Sequence, residues 1–221
     1  MFIGSTTRPD VVYAINMLSR CQHCPTPRLA ACVMRVVYYL VATKHLGLHY
    51  SSSGATGLSA SLAPTFGGAT VDGFVDADHA VTRSTSGYCF FGGAKAAIGF
   101  GTQGQPSVAL HSMEAEVMAT SLAACEALWW VMFHEDAGKQ VRKPLRLNID
   151  NKAAIDFSHD PVHRSKARHI HRRHLHLREL IAKGEVVPKY VKSDDNTADI
   201  FTKPLSKSLF LKHRATLLNM V

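Results

Sequence analysis

The chain has 221 residues, 46% of them apolar, 19% charged and 8% aromatic, with 25 Lys and Arg against 17 Asp and Glu for a formal charge of +8. This composition excludes an intrinsically disordered chain, a collagen-like repeat and a disulfide-dense miniprotein, and the length suits one domain with or without an appendage. The basic surplus, to which 13 His add as pH falls, favours a polyanionic partner, nucleic acid before an anionic membrane. No run of about 18 uninterrupted apolar residues predicts a transmembrane helix, and the opening MFIGSTTRPDVVYA has no secretory pattern. Cys21, Cys24, Cys32, Cys89 and Cys125 are odd in number and irregularly spaced, which predicts a reduced, intracellular protein. Cys21 and Cys24 form a lone CxxC with no second pair to complete a zinc site, so they read as incidental thiols.

Residues 1–50 read as helical. Pro9-Asp10 opens a segment with Val12, Ala14, Ile15, Met17 and Leu18 near helical spacing. Thr26 followed by Pro27 is a cap with proline at the first helical position. The helix it starts, Pro27 to Thr43, carries Leu29, Val33, Val36, Val37 and Leu40 on one stripe, a face that expects a partner. Residues 51–69 are rich in Gly, Ser, Ala and Thr and carry no charge, the pattern of a linker. From there a mixed pattern begins: strands at Val71–Val75, Gly87–Gly92 and, more weakly, Ala96–Phe100, then a long helix from Met113 to Asp136 capped by Ser112. A fourth strand, Leu145–Ile149, ends in Asp150, and a short helix runs from Asn151 to Ser158. A very basic helix, Ile170–Lys183, closes at Gly184. A fifth strand at Val186–Val191, a short helix holding Asp199 and a last helix at 206–219 complete the chain. The order predicts an α/β fold: a mixed five-stranded sheet flanked by helices, with a small N-terminal helical segment.

Four carboxylates fall where elements meet: Asp76 at the end of the first strand, Glu116 in the first turn of the long helix, Asp150 at the end of the fourth strand and Asp199 at the start of a late helix. Sites in α/β sheets gather at strand ends. Four carboxylates around one point repel unless cations neutralise them, and oxygen-only ligands suit Mg²⁺ or Mn²⁺ rather than Zn²⁺. Two such ions about 3.5–4 Å apart stabilise both oxygens of a phosphodiester displacement. Taken singly, each Asp also reads as a helix cap. Trp129 and Trp130 read as core or rim packing rather than a base-stacking platform, and the His of the basic run do not gather on one helical face as metal ligands would.

The words around these carboxylates are GFVDADHA, RSTSGYCFFGGA, QPSVALHSMEAEVMATSLAACEALWW, LNIDNKAAI and DDNTADIFTKPL, in that order. Together they resemble the ribonuclease H domain of copia-type LTR retrotransposon Pol polyproteins, from Val71 to about Leu218. The stretch TTRPDVVYAINMLSR…PTPRLAACVMRVVYYLVATKHLGLHY resembles the C-terminal end of the reverse transcriptase that precedes that domain. The resemblance implies a ribonuclease H-like domain over 70–221, a linker at 51–69 and a reverse-transcriptase remnant at 1–50. It further implies Mg²⁺-dependent, two-metal hydrolysis of the RNA strand of RNA–DNA hybrids in a cytoplasmic, virus-like-particle setting. Its four acidic positions match Asp76, Glu116, Asp150 and Asp199, the first and third sharing both ions; Asp78 and Glu114 are neighbouring alternatives. Hybrid contacts are implied for Arg83, Ser84 and Asn151, and for Lys166, Arg168, His169, Arg172 and Arg173 in the basic run from His163 to Arg178.

The chain departs from the pattern around these residues. His79 stands where relatives have Trp, the following loop is shortened to Ala80-Val81-Thr82, and His169-Ile170-His171 replaces H-I-D. No Tyr-x-Asp-Asp is present, so no polymerase activity is expected of this fragment. The alternative reading is a catalytically inactive, nucleic-acid-binding remnant of the same fold.

Overall fold

A computed structural model describes residues 2–50, 70–80, 83–93, 95–159 and 168–220, with backbone alone for 168–171. The expected linker at 51–69 lies outside the described residues. Strands β1 (Asp72–Asp78), β2 (Thr85–Phe91) and β3 (Ala97–Gly104) form an antiparallel meander. The chain then crosses in α4 (Ser112–Asp136) to β4 (Leu145–Ile149), which runs parallel to β1. Helices α5 (Lys152–His159) and α6 (Arg168–Ala182) lead to β5 (Val186–Tyr190), parallel to β4. The sheet order is β3-β2-β1-β4-β5, so β1 sits at the centre with one antiparallel and one parallel neighbour. This mixed α/β arrangement is ribonuclease H-like.

Strand alternation divides the core in two. Val75, Phe90, Leu145, Leu147 and Ile149 face α4 and α6, where Ala119, Ala123, Ala124 and Ala127 let α4 lie close on the sheet and Leu177 and Leu180 fill the flank. Phe74, Cys89 and Ala97 face the other way, onto Ile200, Phe201 and Leu217. Each large apolar side chain so buried contributes about 1.5–3 kcal/mol. By length and mean composition α4 is apolar enough to cross a membrane, though charged residues interrupt it; its buried residues pack on the sheet as those of a core helix do. The cap of α4 is also corrected. His111, not Ser112, is the capping residue and makes no side-chain cap bond. Glu114 Oε2 accepts the N–H of Leu110, the residue before that cap, at 2.8 Å and so ties the entering chain to the first turn.

Helices α1 (Phe2–Thr6), α2 (Val12–Ser19) and α3 (Pro27–Ala42) precede the sheet, and α7 (Lys207–Leu218) ends the fold. Thr26 caps α3 as expected, its hydroxyl accepting from the Leu29 N–H. The first 50 residues pack on the sheet domain. Asn16 Nδ2 donates to the Thr102 carbonyl at 2.9 Å, and the Arg20 guanidinium donates to the Thr85 hydroxyl at 3.2 Å. A buried Arg8–Asp10 ion pair (2.9 Å) accepts a further bond from the Tyr39 hydroxyl, to which Arg214 of α7 donates at 3.0 Å. The apolar stripe read onto α3 is not a buried face: no residue of α3 is buried, and Val33 and Val37 are exposed. The anchoring of the helix is carried by Tyr39 and Thr43 instead.

Candidate active site

Because β1 and β4 are parallel neighbours, their carboxyl ends open on the same edge of the sheet. Asp76 projects from β1 opposite Gly87 of β2, and Asp150 follows the last residue of β4. The third element is a 3-10 helix, Thr197–Phe201, whose lead residue is placed by Asn196. The Asn196 side chain is enclosed; its Oδ1 accepts the Ala198 N–H and its Nδ2 donates to the Val75 carbonyl at 2.9 Å. That second bond ties the 3-10 helix to the strand bearing Asp76 and brings Asp199 over it. Thr202 adds a hydroxyl that donates to Asp76 Oδ2. The result is a group of three carboxylates, Asp76, Asp150 and Asp199, each with an oxygen within 4.8 Å of the others.

Glu116 borders this group from α4. It lies in the second helical turn rather than the first, since α4 begins at Ser112. Its Oε1 accepts the Ala77 N–H at 3.3 Å, while its buried Oε2 has no hydrogen-bond partner among the described residues. The alternative Glu114 is committed to the Leu110 N–H. Asp76 and Asp199 are 2% and 4% exposed, whereas Asp150 is half-buried and accepts a bond from the Ser193 hydroxyl at 2.6 Å.

The electrostatics follow from enclosing like charges. Burial, foremost, raises the Asp76 carboxyl, against the pull of Lys203 and Thr202. Burial and then the charge of Asp76 push Asp199 up to about 7. Glu116 is raised well above the usual carboxylate range by burial and then by Asp76 and Asp150. Lys203 sits among them, its Nζ 3.0 Å from Asp199 Oδ1 and 3.7 Å from Asp76 Oδ1. Burial lowers its affinity for the proton, but the charges of Asp76, Asp199 and Asp150 outweigh this and leave its pKa raised. An oxygen-only donor set, mutually repelling carboxylates and an unpartnered Glu116 oxygen together fit a hard divalent cation.

The expected hybrid-contacting residues fare unequally. Arg83 is exposed. Ser84 is fully enclosed, its hydroxyl accepting the Ala80 N–H and its carbonyl the Gln105 N–H. Asn151 Oδ1 accepts the Ala154 N–H and so caps α5. Arg172 and Arg173 line a pocket of about 290 Å³ between β3, α4 and α6, with Gln105, Ser121 and Cys125. Lys166 lies outside the described residues, and Arg168 and His169 are described by backbone alone. His174, in the same run, is buried with Nε2 2.7 Å from the Phe157 carbonyl. Of the tryptophans, Trp130 packs against the core over Gly99, but Trp129 is 53% exposed. Sequence reasoning missed Asn196, Thr202 and Lys203, although all three lie inside the DDNTADIFTKPL words.

No family model matches the chain. Among curated proteins, it is 29% identical over 208 residues to the retrovirus-related Pol polyprotein from transposon RE1 of Arabidopsis thaliana, and 30% identical over 204 residues to that from transposon RE2 of the same plant. Each match covers 92% of this chain and 13% of the polyprotein. The secreted RxLR effector protein 161 of Plasmopara viticola is 35% identical over 135 residues, 58% of this chain and 84% of that protein. Among solved structures, LC11-RNase H1 in complex with an RNA/DNA hybrid matches 60% of this chain and 94% of its own, at 11% identity and a TM-score of 0.47. The fold assignment therefore rests on strand order and orientation. With relatives along nearly its whole length, the chain is a homologue of the retrovirus-related Pol polyproteins of copia-type transposons, of which it spans 13%, and its strand order gives it a ribonuclease H-like fold.

Proposed function

We propose that residues 70–221 form a ribonuclease H that hydrolyses the RNA strand of RNA–DNA hybrids. The convergence of Asp76, Asp150 and Asp199 at the carboxyl ends of β1 and β4 carries this reading, with Glu116 beside them. These four residues would hold two Mg²⁺, for which Mn²⁺ can substitute. When bound, the ions would neutralise charge on the attacking and leaving oxygens. The chain's own part is positioning: the Asn196 and Thr202 bonds fix Asp199 and Asp76 against each other, and Ser193 orients Asp150. Preference for RNA would come from the 2′-hydroxyl next to the scissile phosphate. Arg83 and the arginines of α6, Arg172 and Arg173, would meet backbone phosphates and so set affinity and register rather than sequence. Residues 1–50 we read as the end of an upstream reverse-transcriptase region, retained as a buttress on β3 and α7.

The test is cleavage of an end-labelled RNA–DNA hybrid with Mg²⁺, Mn²⁺ or EDTA, beside Asp150→Asn. Metal-dependent cutting of the RNA strand alone, abolished in the variant while hybrid binding persists, is the expected result. Equal cutting by parent and variant would remove the two-metal assignment. Absence of cutting, with salt-sensitive hybrid binding retained, would leave a binding domain in its place.

A further inference from the structure

Lys203 is the cation that the described residues bring against the acidic group. It lies four residues after Asp199, just beyond the 3-10 helix and before Pro204. Its Nζ is at ion-pair distance from Asp199 Oδ1 (3.0 Å) and from Asp76 Oδ1 (3.7 Å). Those two oxygens belong to the carboxylates that a shared metal ion would use. Its charge also interacts with Asp150 and acts favourably on Glu116, so one ammonium serves all four carboxylates.

The side chain is unlike its partners in one respect. The carboxyls of Asp76 and Asp199 are 3% and 5% exposed, whereas the Lys203 side chain is 36% exposed. The acids are fixed by Thr202, by the Asn196 tether and by burial. The lysine is held by its ion pairs and its hydrogen bond to Asp199, on a flexible four-carbon stem that reaches solvent. An ammonium and a divalent ion compete for the same oxygens, since the two cations repel each other and draw on the same carboxylate charge. The fixed acids and the movable cation therefore form a site with two states.

We propose that Lys203 is a tethered counter-ion of the acidic site, one that holds the carboxylates together in the metal-free protein and must swing out when a divalent ion enters. The proposal rests on the metal reading given above. It makes Lys203 a positioning residue that sets the metal concentration at which the site fills. Removing the ammonium leaves the acids more strongly repelling without metal and more attractive to it. The expected shift in metal half-saturation is about tenfold, the size of effect that one neighbouring charge has on a carboxylate.

The experiment is a Mn²⁺ titration of the full chain, followed by the loss of the free-Mn²⁺ paramagnetic signal and, in parallel, by melting temperature. Parent, Lys203→Met, Lys203→Arg and Asp150→Asn are compared. Lys203→Met is expected to melt lower in EDTA, to gain more from Mn²⁺, and to fill at about one-tenth the parental concentration. Lys203→Arg, which keeps the charge, is expected to stay near the parental half-saturation. Should the Met variant not fold, Lys203→Gln carries the same expectation with a polar head of similar reach. A neutral variant that fills at the parental concentration or higher overturns the counter-ion role, as does an Arg variant that behaves like the neutral one. If Asp150→Asn takes up Mn²⁺ as the parent does, the metal reading itself fails and the proposal falls with it; uptake lost in Asp150→Asn but unmoved in Lys203→Met refutes the proposal alone.

Discussion

His213 offers a quantitative check on the packing of α7. It is 1% exposed and neither ring nitrogen has a hydrogen-bond partner among the described residues. Burial, foremost, and then the charge of Lys212 lower its pKa from 6.5 to about 4, against the pull of Asp195 and Asp194. Above pH 6.5 the imidazole is neutral both folded and unfolded and contributes no pH dependence. Between 6.5 and about 4 the unfolded chain holds a proton that the folded one lacks, so stability falls as pH falls, at up to about 1.4 kcal/mol per unit. Below about 4 both states are protonated and the fall stops. The loss at pH 5 is about 2 kcal/mol at most, and less where the nearby surface charges are screened. Asp199 works in the opposite direction: with a folded pKa near 7 it takes up its proton first in the folded state, so its contribution grows as pH falls through 7. The difference between parent and His213→Leu cancels that term. Urea unfolding in EDTA at pH 7.5, 6 and 5 should show the parent losing about 1–2 kcal/mol relative to the variant. A difference that stays flat across this range would refute the enclosure of His213.

Three other outcomes are expected. Since Asp199 titrates near 7, an entering metal ion must displace its proton in acid, so Mn²⁺ half-saturation followed by melting temperature should rise up to about tenfold per unit as pH falls below 7; pH-independent uptake would contradict the enclosed carboxylate. Gly87→Ala would place a Cβ 2.7 Å from Phe201 Cβ and Thr202 Cγ2 and 3.2 Å from the Ala198 carbonyl. The cost should be about 1–3 kcal/mol in urea, with hybrid cleavage reduced further because the 3-10 helix bearing Asp199 has to shift; parental stability and cleavage would show that the helix yields freely. Asp10→Ala leaves the buried Arg8 guanidinium without its counter-charge, bonded to Thr43 alone, and the Tyr39 hydroxyl without its acceptor; it should cost about 3–5 kcal/mol in chemical denaturation, whereas an unmoved midpoint would mean that residues 1–50 do not unfold with the sheet.

The elements that could be read from the chain are those whose local preference agrees with their environment. Leu145–Ile149 is a strand to the residue, because its apolar alternation coincides with burial. The first strand reads as Val71 to Val75, closing in Asp76-Ala77-Asp78. In the structure these residues continue β1 by pairing with Gly87, Ser86 and Thr85, a ladder that only the partner strand supplies. The third strand reads as weak because of Gly99, Gly101 and Gly104, yet it extends to Gly104. The first two glycines make room for the Trp130 indole and the Tyr88 phenol, so tertiary packing decides where propensity misleads. The α3 stripe, read as a face that expects a partner, stays largely uncovered by the described residues, since periodicity names a face but not its occupant. At the site, the four acids were legible because each ends or opens an element and sits in a recognisable word. Asn196, Thr202 and Lys203 were printed in the same words, but a tether, a hydroxyl donor and a counter-ion acquire meaning only once β1 lies beneath them.

Among the described residues the sheet has two unpaired borders, and each is guarded by a different means. On β5 the guard is in the strand itself: Pro188 has no N–H to offer a newcomer. On β3 it is supplied from elsewhere in the chain. Asn16 of α2 occupies the Thr102 carbonyl and the Tyr50 hydroxyl donates to that of Ala97, so acceptors that another strand would seek are already engaged. A chain trimmed to the sheet domain would lose both donors and present β3 as an open template, free to recruit a second copy edge to edge. The helical segment ahead of the sheet thus acts as a guard against self-association, a duty independent of whatever catalysis the acidic group performs.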